Sequence, residues 1–259
     1  MSTFFALSKK EISQMMHDYK IIWLPIVFIL LGLTQPILMF YLPVIVEMFG
    51  GVEGITIDPA MTNYDGQEVL ASTLSSQFDQ LGIIILVIAT MGVIQAERAN
   101  GMLAFILTRP VSIASYLGSK LITHYVLAAS CVAIGYFVSY SYTGFLFAAV
   151  PLANMLLALA VYSVWLLFVM TFVVMLSAMF HSQAFIALVS IVVLLLCRFT
   201  AGLHPLLDLI NPGSMSVRAI STLMVGSMGE AWLLNMAVTL LIIIGMVQMM
   251  HYWIGNKKY

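Results

Sequence analysis

Long apolar stretches separated by short polar ones set the pattern of this chain. A hydrocarbon core of roughly 30 Å is crossed at about 1.5 Å per helical residue, so a span needs about 20 mostly apolar residues. Six stretches qualify, running approximately from Ile21 to Val46, Phe78 to Gln95, Leu117 to Phe137, Leu152 to Phe180, Ala184 to Arg198 and Ala231 to Tyr252. Leu81 to Ile94 and Leu240 to Met250 are almost continuously apolar, whereas a transmembrane β-barrel alternates polar and apolar residues. The predicted fold is all-α, a polytopic membrane protein with six transmembrane helices in a single domain over residues 1–259. Only His181, Ser182 and Gln183 separate the fourth span from the fifth, which predicts a tight hairpin.

Two segments follow other patterns. Phe5, Ile12, Met15, Met16 and Tyr19 recur at approximate helical spacing, with Lys9, Lys10, Glu11, Asp18 and Lys20 largely off that face. Residues 1–20 therefore read as an interfacial amphipathic helix with its lysines towards the headgroups. Leu203 to Glu230 is moderately apolar but broken by Pro205, Pro212, Gly213, Gly226 and Gly229, and it carries Asp208 and Arg218. It reads as short helices dipping into the outer leaflet, shielded by other helices. Residues 68 to 79 are expected to form a helix leading into the second span, with Asp79 at the outer interface.

Composition excludes a soluble domain: 62% of residues are hydrophobic, 8% are charged, and mean hydropathy is +1.06. With 10 Lys+Arg against 11 Asp+Glu, the chain has too few cations to neutralise a run of phosphates, so no nucleic-acid partner is expected. Lys9, Lys10, Lys20, Arg98, Arg109, Lys120, Lys257 and Lys258 all fall on one side of the predicted bilayer, whereas Glu47 to Asp79 holds acidic residues and no cation. The positive-inside rule then places both termini in the cytoplasm of a cell-membrane protein, with 47–78 and 199–230 external. Trp232 and Trp253 suit the two interfacial aromatic belts. No secretory signal is recognisable in the first residues.

The segment Gln95 to Ser112, whose core 96–112 is the first cytoplasmic loop, is unusually apolar for a loop. Asn100-Gly101 breaks the helix leaving the membrane, Met102 to Leu107 can form one or two turns, and Pro110 stops them. Ser112 can then cap the returning helix. Met102, Phe105, Ile106 and Arg109 recur at i, i+3, i+4 and i+7, so the turns show an apolar face beside Glu97 and Arg109. Such a face either docks a partner or packs on neighbouring helices, and physics alone leaves both open.

The order Glu97, Arg98, Gly101, Leu107, Arg109-Pro110-Val111-Ser112, Tyr116, Lys120 resembles the loop between the second and third spans of ABC-2-type permeases, the membrane subunits of one class of ATP-binding-cassette exporters. The amphipathic first helix, six spans and broken segment before the sixth extend that resemblance over essentially the whole chain. It implies a permease subunit whose loop is a coupling helix fitting a groove on a separate ATPase. Glu97, Arg98, Gly101, Met102, Phe105, Ile106, Arg109 and Pro110 are its expected coupling residues. No Gly-x-x-x-x-Gly-Lys-Ser/Thr loop occurs here, so no cofactor is expected on this chain and ATP belongs to the partner. The resemblance also implies two ATPase copies and a second permease, identical or related, completing the pathway as a dimer in the lipid bilayer. The rival readings are a self-contained ion-driven secondary transporter, or a non-transporting component that anchors or signals with an ATPase.

Other candidate chemistry is sparse, and the chain does not read as an enzyme. Asn63-Tyr64-Asp65-Gly66 has a fragment of calcium-loop spacing without the remaining ligands, so no metal site is expected. His124, one turn beyond Lys120, reads as a residue near the inner interface rather than a proton carrier. Cys131 and Cys197 read as small hydrophobes, and the 19 Met as adaptable packing.

Overall fold

The computed structural model describes residues 3–49, 64–108 and 111–256. Every regular element among them is helical. Helix α1 (Thr3–His17) precedes α2 (Lys20–Phe49), and a corner at Tyr19, with φ of 56°, joins them. The second span is composite: α3 (Gly66–Ser72), a π-helical stretch (Thr73–Gly82), α4 (Ile83–Thr90) and α5 (Gln95–Ala99). Then follow α6 (Met102–Leu107), α7 (Ile113–Leu146), α8 (Leu152–Met179), α9 (Gln183–Thr200), α10 (Pro205–Ile210), α11 (Ser214–Val225) and α12 (Trp232–Asn256).

Among the described residues, six helices are long and apolar enough to cross a membrane: Lys20–Ile45, Gly66–Ala99, Ile113–Leu146, Leu152–Met179, Gln183–Thr200 and Trp232–Asn256. The six predicted spans are thus present, and the tight hairpin between α8 and α9 forms over residues 180–182, one position earlier than the sequence places it. The second and third run well beyond their apolar stretches, and their polar ends find partners inside the bundle. Thr73 and Ser139 hydroxyls lie 3.0 Å apart, Ser76 and Gln77 both donate to Gln35 Oε1, and Tyr140 donates to the Val150 carbonyl at 3.1 Å. Asn63 of the calcium-loop fragment lies outside the described residues. Asp65 serves instead as the N-cap of α3 in a reciprocal capping box with Glu68.

Helix α8 forms the centre of the bundle and packs against α7, α9, α11 and α12, burying Tyr162, Trp165, Val169 and Val173. Helices α2 and α7 cross closely, for a Cβ on Gly32 would fall on the Gly135 carbonyl and one on Gly135 would fall on the Phe28 carbonyl. The broken segment forms two short helices, as its prolines and glycines predict. Helix α11 lays Met215, Ala219 and Leu223 into the core, while α10 keeps Leu206, Leu207 and Ile210 exposed. Asn211 donates to the Cys197 carbonyl at 2.7 Å, and Asn235 donates to the Leu209 and Asn211 carbonyls at 3.1 Å each. These bonds pin the segment to α9 and α12 and satisfy carbonyls that a non-spanning backbone would otherwise leave bare.

Candidate coupling site

At the end of the composite span, Asn100 closes α5 and Gly101 turns the chain with φ of 71°, a left-handed conformation that glycine adopts without steric cost. Helix α6 follows over the residues expected from the sequence, and Ser112 caps α7 by accepting from Ser115 N at 3.2 Å. Leu103 is fully buried among Ile94, Tyr116, Leu117, Val174, Met250 and Ile254, and half-buried Ile106 leans on the same cluster. Met102 and Phe105 point outward, 45% and 60% exposed. The apolar face read from the sequence therefore splits: Met102 and Phe105 form its outer surface and Ile106 turns partly inward. Arg109 and Pro110 lie outside the described residues.

Behind this surface stands a buried ionic set that ties α6 to the bundle. Glu97, 4% exposed, accepts from Tyr116 Oη at 2.6 Å and pairs with Lys120 at 3.1 Å and with Lys10 of α1. Lys120, 1% exposed, also pairs with Glu11 at 3.0 Å and donates to the Val93 carbonyl at 2.9 Å. Two carboxylates and two ammonium groups balance, so burial leaves no net charge. Arg98 grips the far end of α8, donating to the carbonyls of Ser177, Ala178 and Met179. Those carbonyls end a helix and lack intrahelical donors, which suits a cation. Ser177 Oγ in return accepts from Ile94 N and Gln95 N at 3.0 Å each. Glu97 and Arg98 are thus placed inward as fastenings, while Met102 and Phe105 are placed outward as a surface. The amphipathic helix contributes more than a membrane anchor: Lys10 and Glu11 face this set, while Phe5, Ile12, Met16 and Tyr19 remain exposed for lipid.

The exposed apolar corner is thus locked from behind to three spans and an interfacial helix. The family model of ABC-2 family transporter proteins matches residues 5–253. The chain belongs to this family. It is also 34% identical over 206 residues to the uncharacterized transmembrane protein YxlG of Bacillus subtilis (strain 168), a match spanning 79% of each chain. This ABC-2 chain is accordingly an integral multi-pass membrane protein of the permease type, and such a subunit is not itself catalytic.

A second polar set lies deep in this ABC-2 bundle and was not anticipated. Asp79, expected at the outer interface, has no exposed surface. Its carboxylate accepts from Arg198 Nε at 2.6 Å, from Trp165 Nε1 at 3.2 Å and from the Ser216 hydroxyl. The π-helical stretch turns Asp79 inward at a level where α8, α9 and α11 converge, so its carboxylate joins Arg198 and Ser216, 119 and 137 residues away in sequence. Neither residue type nor spacing signals such a pairing. His124 is buried against protein, with Nδ1 2.9 Å from the Lys120 carbonyl oxygen. It lines a cavity of about 310 Å³ between α1, α2, α4 and the start of α9, together with Gln14, Trp23, Met91 and Gln183.

Proposed function

We propose that the chain is the membrane subunit of an ABC exporter, coupled to a separate ATPase through α6. The supporting observation is the exposed Met102 and Phe105 pair on a corner whose other side is fastened by Glu97, Arg98 and Leu103. A docking helix transmits displacement only if it cannot slide on its own bundle, and that fastening supplies the stiffness. In this reading both termini and α6 face the cytoplasm, in line with the lysines and arginines gathered at that end. Two ATPase copies bind and hydrolyse ATP, and their closure shifts the permease between inward-open and outward-open populations. A second permease, identical or related, completes the pathway. The ion-driven alternative needs an intramembrane charge free to exchange partners, whereas Asp79 is closed by Arg198, Trp165 and Ser216.

The test is purification from the native membrane in a gentle detergent, with mass spectrometry of copurifying chains. An ABC ATPase in near-stoichiometric amount is expected with the wild type and lost with Met102→Asp plus Phe105→Asp, without change in melting temperature. ATPase retained by the double variant refutes α6 as the docking element, and absence of any ATPase from the wild type refutes the exporter assembly.

A further inference from the structure

At the end of the bundle remote from α6, two small cavities share one wall. The first, about 170 Å³, is an apolar slot between α8, α11 and α12, lined by Ala160, Val164, Met215, Trp232 and Met236. The second, also about 170 Å³, is of mixed character and lined by Asp208, Ser214, Val217, Ser221 and Gly229. Arg218 and Met228 line both.

Arg218 is an unusual occupant of such a wall. Nη1 donates to the Met228 and Glu230 carbonyls at 2.9 Å each, while buried Nε has no hydrogen-bond partner among the described residues. No carboxylate lies within ion-pair distance of it among those residues. Burial lowers its pKa from the ordinary value, with Asp208 opposing that shift from farther off. The Asp208 carboxylate accepts through Oδ1 from Gly202 N at 2.7 Å and Ser214 Oγ at 3.0 Å. A guanidinium with an idle donor thus stands between an apolar slot and a carboxylate. Trp232, which lines the slot, is a residue type that favours the lipid headgroup level.

One cation beside one carboxylate provides no net attraction for a simple anion. A head that carries both signs satisfies both groups, and an attached hydrocarbon chain fills the slot. We propose that the paired cavities bind a zwitterionic aminophospholipid of the phosphatidylethanolamine class, its phosphate on Arg218, its ammonium on Asp208 and one acyl chain between α8, α11 and α12. A primary ammonium suits Asp208 because it donates hydrogen bonds, which a quaternary ammonium cannot. The site is independent of ATPase docking: α11 packs on α3 and the π-helical stretch, whereas α6 adjoins the opposite end of the same span.

The experiment uses the full chain, delipidated in detergent and titrated with dioleoyl phosphatidylethanolamine, phosphatidylcholine, phosphatidylglycerol or soluble phosphoethanolamine, with bound adducts read by native mass spectrometry. Phosphatidylethanolamine is expected to bind most tightly. Arg218→Gln is expected to weaken it about tenfold, the scale of a lost charge-assisted hydrogen bond. Asp208→Asn is expected to abolish its advantage over phosphatidylglycerol. Because Arg218→Gln also disturbs the loop at Met228, Ala160→Phe serves as a second variant, filling the slot from an exposed position while leaving the Arg218 bonds intact, and it too should weaken binding. Equal binding of phosphatidylcholine and phosphatidylethanolamine by the wild type overturns the proposal. So does wild-type affinity in Ala160→Phe, or soluble phosphoethanolamine binding as tightly as the lipid.

Discussion

Replacing Glu97 by Gln removes one charge from a buried set of four while keeping its shape. Lys120, 1% exposed, then retains Glu11 alone, whereas Lys10, with 34% of its side chain exposed, regains water. Breaking a buried pair by deleting one partner costs about 3–5 kcal/mol, and the surviving Glu11 contact puts this case near the lower end, about 3 kcal/mol. Lys120→Met costs a comparable amount, because it strands two carboxylates with one partly exposed lysine. The double variant removes one charge of each sign and leaves Glu11 beside Lys10, 3.6 Å away. Its cost should fall short of the sum of the single costs by at least about 1.5 kcal/mol. At about 2–4 °C per kcal/mol for a chain of this size, each single variant melts roughly 6–12 °C lower, well within reach of a tryptophan-fluorescence melt in detergent. Additivity to within about 0.5 kcal/mol would show that Glu97 and Lys120 do not act as a pair, and the fastening of α6 would lose its basis.

Other consequences can be checked in the same assay. Asp79→Asn leaves Arg198, 18% exposed, without its counter-charge and should cost about 2–3 kcal/mol, while adding Arg198→Leu should recover part of the loss; a double variant worse than Asp79→Asn contradicts the pairing. Gly101→Ala meets no neighbour but must hold φ of 71°, so a loss of about 1 kcal/mol is expected, with Gly101→Asn milder; equal stability of all three would remove the need for the left-handed turn. Gly135→Ala drives a methyl into the Phe28 carbonyl and should cost about 1–3 kcal/mol by forcing α2 from α7, an effect that a neutral melt would exclude.

What the sequence made legible was whatever depends on neighbours along the chain. Continuous apolar runs expose the spans, the three polar residues at His181 to Gln183 expose the hairpin, and Asn100-Gly101 with Ser112 brackets α6. Pairings between distant segments left no such trace. Asp79 and Arg198 each sit near the end of an apolar run, so each reads alone as an interfacial charge, and only the bundle brings them together. The same reasoning explains Glu97, whose place beside a Gly turn suggests an exposed coupling residue although Tyr116 and Lys120 enclose it. The Gly32–Gly135 crossing has no local motif, because its two glycines come from different helices. The π-helical stretch has no periodic signature to betray it.

The distance in sequence between Asp79 and Arg198 also orders the birth of the protein. The carboxylate leaves the ribosome 119 residues before its guanidinium, a lag of about 6–24 s at ordinary synthesis rates of about 5–20 residues per second. Throughout that interval the second span must hold an acidic group in or near lipid without its cation. It does so protonated or with Asp79 still at the membrane surface, since an isolated carboxylate is too costly to bury charged. Seating of the second span is therefore a late event, completed when the hairpin of α8 and α9 delivers Trp165 and Arg198 together. Chains cut short before α9 should hold that span loosely and be the first presented to membrane proteases.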